Sequence, residues 1–191
     1  MNMTCSSCST ATATCVASFP WSSSPGFIPS NRSKRAPEMT CGCSRPCTET
    51  RRKLDDLKGY GLNLVVLSEG IEAVAQKLED AEEIGHPGPL LKIYMDFASS
   101  EKCHVAGSVK ILENGRIYNS AVFIAPSGKI FGTYHKTYLT IGELEAGLVP
   151  GTGAVCVDTE IGRLGGIICL DDFFKRSLEA NSKSRMLIKK I

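Results

Sequence analysis

At 191 residues the chain is long enough for one ordinary domain, and a 42% hydrophobic composition can supply its core. The 22 basic and 20 acidic residues nearly cancel, leaving +2, so no charge excess marks a nucleic acid or a membrane surface as partner. No apolar run approaches the ~18 to 20 residues that span a bilayer, and the sequence reads as a soluble protein.

The N-terminal segment, residues 1–49, stands apart from the rest. No Asp or Glu occurs from Met1 to Pro37, while Arg32, Lys34 and Arg35 are basic and Ser and Thr abound. That composition is expected of a disordered segment and resembles an organellar transit peptide. It would send the protein to a chloroplast or mitochondrion, and without it the protein would be cytoplasmic. Six of the nine cysteines also lie here: Cys5, Cys8, Cys15, Cys41, Cys43 and Cys47. A structural zinc site usually takes four ligands in two spaced pairs. The Cys5/Cys8 pair and the cluster at 41–47, with no histidine beside it, do not make that arrangement, so neither metal nor cofactor is expected.

The folded domain is expected over residues 50–191. Thr50 to Lys58 reads as the end of a helix, and Leu64-Val65-Val66-Leu67 as a short buried strand stopping at Ser68-Glu69-Gly70. Ile71, Val74, Leu78 and Ala81 have helical spacing up to Ile84. His86-Pro87-Gly88-Pro89 breaks it, and Leu90, Leu91, Tyr94 and Phe97 form the stripe of a helix ending near Ser100. Strands follow at 103–109, 117–125 and 129–134, the first two joined by the turn Glu113-Asn114-Gly115. A Gly- and Pro-containing loop leads to strands at 154–158 and 164–169, and Asp171 to Ala180 reads as the start of a helix. Strands interleaved with amphipathic helices predict an α/β layered fold.

Ordered blocks across residues 64–171 point further. Val65-Val66-Leu67-Ser68-Glu69, Pro87-Gly88-Pro89, His104-Val105-Ala106-Gly107-Ser108 and Ile117-Tyr118-Asn119-Ser120-Ala121 with Pro126-Ser127-Gly128 come first. Tyr134-His135-Lys136, Glu143 to Gly147 with Pro150-Gly151, and Ile168-Cys169-Leu170-Asp171 complete the series. Together they resemble the nitrilase superfamily of carbon–nitrogen hydrolases. That resemblance implies an α-β-β-α sandwich and a Glu-Lys-Cys triad: Glu69 as general base, Lys136 beside the developing oxyanion and Cys169 as nucleophile. Glu143 would be a second glutamate orienting Lys136 or the substrate. A poor electrophile such as an amide hydrolyses more readily in two steps through a thioester than in one. Thiolate formation is expected to be helped by the N-terminus of a helix emerging after Cys169. His135, a strand neighbour of Lys136, is expected to face away, and Cys103 and Cys156 to be core residues.

Asp171, two positions after Cys169, resembles the amidase branches, so an amide or carbamoyl substrate is expected rather than a nitrile. The pattern departs from the family in three places. Residues 38–50 cannot form the usual first strand, Ser68 replaces a proline, and Lys175-Arg176 stand where Pro-Glu is usual before the chain ends at Ile191. The expectation is a truncated domain lacking the first strand and the C-terminal portion. Its alternative function is that of an inactive homologue associating with a full-length hydrolase, and homo-oligomers are expected of the family. A cysteine-rich metal-binding regulator is a further, weaker alternative.

Overall fold

The computed structural model describes residues 45–69 and 76–174, with Arg45 and Pro46 by backbone alone, together with the backbone of two short strands at 16–17 and 186–188. Apolar residues repeating at three- and four-residue intervals make two helices, α1 (Arg45–Asp55) and α2 (Pro89–Glu101). Gly88 caps α2 and Pro89 opens it, where a missing N–H costs nothing. The buried Glu82 carboxylate accepts from the N–H groups of Leu90 (2.8 Å) and Leu91 (2.9 Å), donors that a helix start cannot satisfy within itself.

Among the described residues eight strands form two sheets. The larger holds β1 (Val16–Ala17), β2 (Leu64–Val66), β3 (His104–Glu113), β4 (Arg116–Ile124) and β5 (Ile130–His135) in that order. Pairing is parallel from β1 to β3 and antiparallel from β3 to β5. The β3–β4 turn has φ of 50° at Asn114 and 72° at Gly115, the two positive values that a tight hairpin between right-twisted strands requires. The smaller sheet pairs β6 (Cys156–Thr159) antiparallel with β7 (Gly162–Gly166), and β7 parallel with β8 (Met186–Ile188).

Alternation along the strands sorts the core into two layers. Val105, Val109, Ile111, Val122 and Ile124 face Leu54, Leu90, Leu91, Tyr94 and Phe97 of the helices. The opposite face presents Leu64, Ala106, Ala121, Phe123 and Tyr134 to Val157, Leu164 and Ile168 of the second sheet. The sheets meet closely: a Cβ on Gly132 would lie 2.5 Å from Val157, so only glycine fits there. The described residues thus supply helix, sheet and sheet layers of a sandwich, in keeping with the expected class.

Several sequence expectations shift. The helix foreseen up to Ile84 does not reach it. Residues 70–75 lie outside the described set, and from Gln76 the chain makes only a 3₁₀ turn at Leu78–Asp80. It then runs along β3, with Glu82 N–H donating to Lys110 O and Leu112 N–H to Glu82 O, each 2.9 Å. The open edge of β3 needs partners for its backbone, and that demand overrides helical spacing. The last two foreseen strands become a hairpin turning at Glu160-Ile161, which brings Cys156 to an exposed position rather than into the core. Asp171 begins no helix within the described residues; a 3₁₀ turn spans Cys169–Phe173. Residues 45–50 open α1, so this part of 38–50 is no strand, and among the described residues Val16 and Ala17 pair with the edge of β2.

Candidate active site

The ends of β2, β4, β5 and β7 converge at one rim of the sandwich, and the chemistry-bearing side chains gather there. β2 delivers Glu69 three residues past its last paired residue, after Leu67 N–H bonds Ala106 O at 2.8 Å. Lys136 follows β5. Its N–H donates to Asn119 O and its carbonyl accepts from Gly151 N–H, both at 2.8 Å. A side chain on Gly151 would strike the backbone of His135, so the loop after α3 (Ile141–Glu145) closes over Lys136 only with glycine there. Thr140 and Glu143 form a reciprocal capping box at the start of α3, which fixes the Glu143 carboxylate.

Lys136 is 1% exposed and lies between two carboxylates: its Nζ is 3.1 Å from Glu69 Oε1 and 3.0 and 2.9 Å from the two oxygens of Glu143. Burial pulls the Lys136 pKa down, but Glu143 and Glu69 outweigh it and the net shift is upward. Burial likewise raises Glu143, yet the Thr140 N–H, the Asn119 amide and Lys136 together hold its carboxyl below the usual range. Lys136 is therefore a cation at neutral pH.

Cys169 joins this cluster electrostatically, the charges of Glu69, Lys136 and Glu143 all acting on its thiol. Its φ of 45° is unusual for a side chain of this size, and it turns the thiol out of the strand line. The thiol is free, and the residue is exposed. Burial of the sulfur and then the Glu69 charge push the thiol pKa above its ordinary value, Lys136 opposing them. This reverses the expectation of a thiolate favoured by a helix N-terminus: a short 3₁₀ turn follows, and burial together with the neighbouring carboxylates disfavours the anion.

Asp171, fully buried, holds the turn. Its Oδ2 accepts from Tyr134 OH (2.7 Å) and Ile168 N–H (3.0 Å), and its Oδ1 from Tyr138 N–H (2.8 Å). Burial holds the Tyr134 phenol far above its usual pKa, so it stays a donor. Asp171→Ala leaves these donors unpaired. We expect a loss of about 1–3 kcal/mol in urea unfolding, together with a slower reaction of Cys169 with alkylating agents. An unchanged unfolding midpoint would show that the latch contributes nothing.

Asn119, which the sequence placed only within a motif, sits between the carboxylates. Its Nδ2 donates to Glu69 Oε1 (2.8 Å) and to Glu143 Oε1 (2.7 Å). The signal available in the sequence was an Asn inside a strand, where that residue is disfavoured. His135 does not join Cys169. Its ring stacks on Tyr118, with Nδ1 2.7 Å from Ser120 Oγ and Nε2 3.1 Å from Glu113. That Ser–His–Glu order is closed to substrate, because Ser120 is fully buried.

Among the described residues no group of three or more His, Cys, Asp or Glu could hold a metal. Cys41 and Cys43 lie outside them, and Cys47 is buried on α1. Cys103 is buried, its thiol pushed up to about 11 by burial and by Glu101.

Residues 48–188 match the family model described as carbon-nitrogen hydrolase. A Schizosaccharomyces pombe hydrolase is 29% identical over 133 residues, 63% of this chain and 41% of that protein. Two solved structures share the fold. A carbon-nitrogen hydrolase from Helicobacter pylori has a TM-score of 0.58 and 22% identity, covering 76% of this chain and 54% of its own. A mutant of the Nesterenkonia sp. amidase, with acrylamide added to its active-site cysteine, has a TM-score of 0.57 and 14% identity, covering 74% and 57%. The chain thus spans about half or less of the length of these relatives. With the family model matched across most of its length, the chain belongs to the carbon-nitrogen hydrolase family.

Proposed function

We propose that this chain carries the chemistry for hydrolysing non-peptide C–N bonds, of amides or carbamoyl groups rather than nitriles, through a thioester on Cys169. The observation that carries the reading is the meeting of Glu69, Lys136 and Glu143, residues far apart in sequence, in one hydrogen-bonded cluster whose charges act on the Cys169 thiol. In the proposed sequence Sγ bonds to the carbonyl carbon as the thiol proton passes to Glu69. Lys136 stabilises the oxyanion, worth a few kcal/mol where the charge is preorganised. The C–N bond then breaks, and the amine leaves with the proton from Glu69. Water attacks the thioester, giving a proton to Glu69; the C–S bond breaks, and that proton returns to sulfur. Glu143 orients Lys136, and Asp171 acts through the turn without touching reacting atoms. The preference for amides rests on the placement of Asp171 after Cys169. The solved amidase that carries acrylamide on its cysteine suggests acrylamide and simple amides as first probes.

Acid-quenched mixtures of the full chain with a panel of small amides, digested for mass spectrometry, should show an acyl adduct on the Cys169 peptide and release of ammonia or amine. No adduct, with equally slow acrylamide labelling of Cys103, Cys156 and Cys169, would favour instead an inert homologue acting by association.

A further inference from the structure

We propose that Asn119 is a positioning residue that selects which oxygen of Glu69 receives the Cys169 proton. The inference rests on the reading of Glu69 as the base.

Oε1 of Glu69 is occupied from two sides, by the Asn119 amide at 2.8 Å and by Lys136 at 3.1 Å. Oε1 of Glu143 is held by the same pair, at 2.7 and 3.0 Å. Two donors therefore span two carboxylates in parallel. Both amide hydrogens of Asn119 are spent, and the lone pairs of Oε1 are taken. Oε2 of Glu69 is left as the basic oxygen that can face the thiol. Lys136 alone could not fix this, because an ammonium on a flexible stem bonds either oxygen as the carboxylate rotates. A planar amide rooted in a strand restricts that rotation. Its root is firm, since Asn119 also holds the Lys136 N–H through its own backbone oxygen.

The arrangement carries a cost that marks its purpose. Asn119 is 5% exposed, and its Oδ1 is buried without a hydrogen-bond partner. Buried polar atoms are seldom left so, and each exception needs a reason. Turning the amide over would aim its oxygen at two carboxylates, so the orphaned oxygen is the consequence of giving both hydrogens to Glu69 and Glu143. The position is also unfavourable to Asn by strand propensity.

The test measures the rate of Cys169 alkylation by iodoacetamide, in the full chain, from pH 5 to 10. In this reaction Sγ–C forms, iodide leaves and the thiol proton goes to Glu69. At pH 7 both Glu69→Gln and Asn119→Ala should be slower than the parent, the latter by about tenfold, which is part of the 10²–10⁴ a positioned base supplies. Asn119→Ala placed on the Glu69→Gln background should add nothing, because it acts through the carboxylate already removed. A full tenfold effect on that background, or none on the parent chain, overturns the proposal. If Glu69→Gln itself leaves the rate unchanged, the reading of Glu69 as base fails, and this inference with it. Should Asn119→Ala not yield folded protein, the isosteric Asn119→Asp serves. A third carboxylate beside Glu69 should raise the midpoint of the alkylation profile by about one pH unit, and an unmoved midpoint overturns the proposal.

Discussion

Replacing Lys136 with methionine should cost about 3–5 kcal/mol of stability, the penalty of breaking a buried charge pair by deleting one partner. Methionine keeps much of the length of the side chain, so cavity formation adds little. What it removes is the cation that lies within 3.1 Å of both Glu69 and Glu143. The pH dependence identifies the cause. In the parent chain Glu143 has a lowered pKa, so its contribution is fully present above its unfolded value and is lost as acid carries the pH through the folded one. Lys136 has a raised pKa, so its contribution is present below its unfolded value of 10.5 and is lost as the pH climbs through the folded value. Between pH 5 and 8 neither titrates, and the cluster contributes a constant amount. In Lys136→Met two partly buried carboxylates face each other uncompensated, which raises the pKa of the pair above its unfolded value. The variant should gain stability from pH 8 to pH 5 while the parent does not. Urea unfolding at several pH values measures this, and a variant whose loss is the same at every pH would show that packing, not charge, is what Lys136 supplies.

How far the sequence alone reached depends on the kind of force at each place. The strands β3 to β5 were legible because runs of strand-forming residues are bounded by turn residues, as with Glu113-Asn114-Gly115 between β3 and β4. α2 was legible from its apolar stripe and from Pro89. The stretch leading to Ile84 was misread because the unpaired edge of β3 claims the backbone of Glu82, a long-range demand with no local signature. The candidate site residues Glu69, Lys136, Glu143 and Cys169 came from ordered motifs, and the structure brings them together. Asn119 escaped because its role lies in two side-chain bonds to residues 50 and 24 positions away. The electrostatics of Cys169 escaped for a similar reason. A helix N-terminus was inferred from local order, whereas the thiol responds to burial and to carboxylates brought in from distant parts of the chain.

That correction to Cys169 makes the consequence of Glu69→Gln sharper than a simple loss. With a thiol pKa above its ordinary value of 9.0, at most about one sulfur in a hundred is ionised at pH 7. Waiting for spontaneous ionisation therefore forfeits roughly two orders of magnitude, and a neighbouring base recovers them as the S–C bond forms. The same carboxylate that performs the proton transfer also adds to the rise that burial gives the thiol pKa, so removing it has two opposed effects. Near neutrality the base is missing, and amide hydrolysis should fall by about 10²–10⁴. The thiol, relieved of an adjacent negative charge and with Lys136 still beside it, should ionise at lower pH than before. Rates in Glu69→Gln should therefore climb with pH through the range where the parent is already level, and the gap between the two should narrow above about pH 9. An isosteric amide also retains a partner for Lys136, so folding should be largely preserved. Profiles of kcat/KM against pH for both proteins, on whichever small amide forms the Cys169 adduct, test the account. A variant depressed by the same factor from pH 6 to 10 would mean that Glu69 organises the site rather than moving the proton.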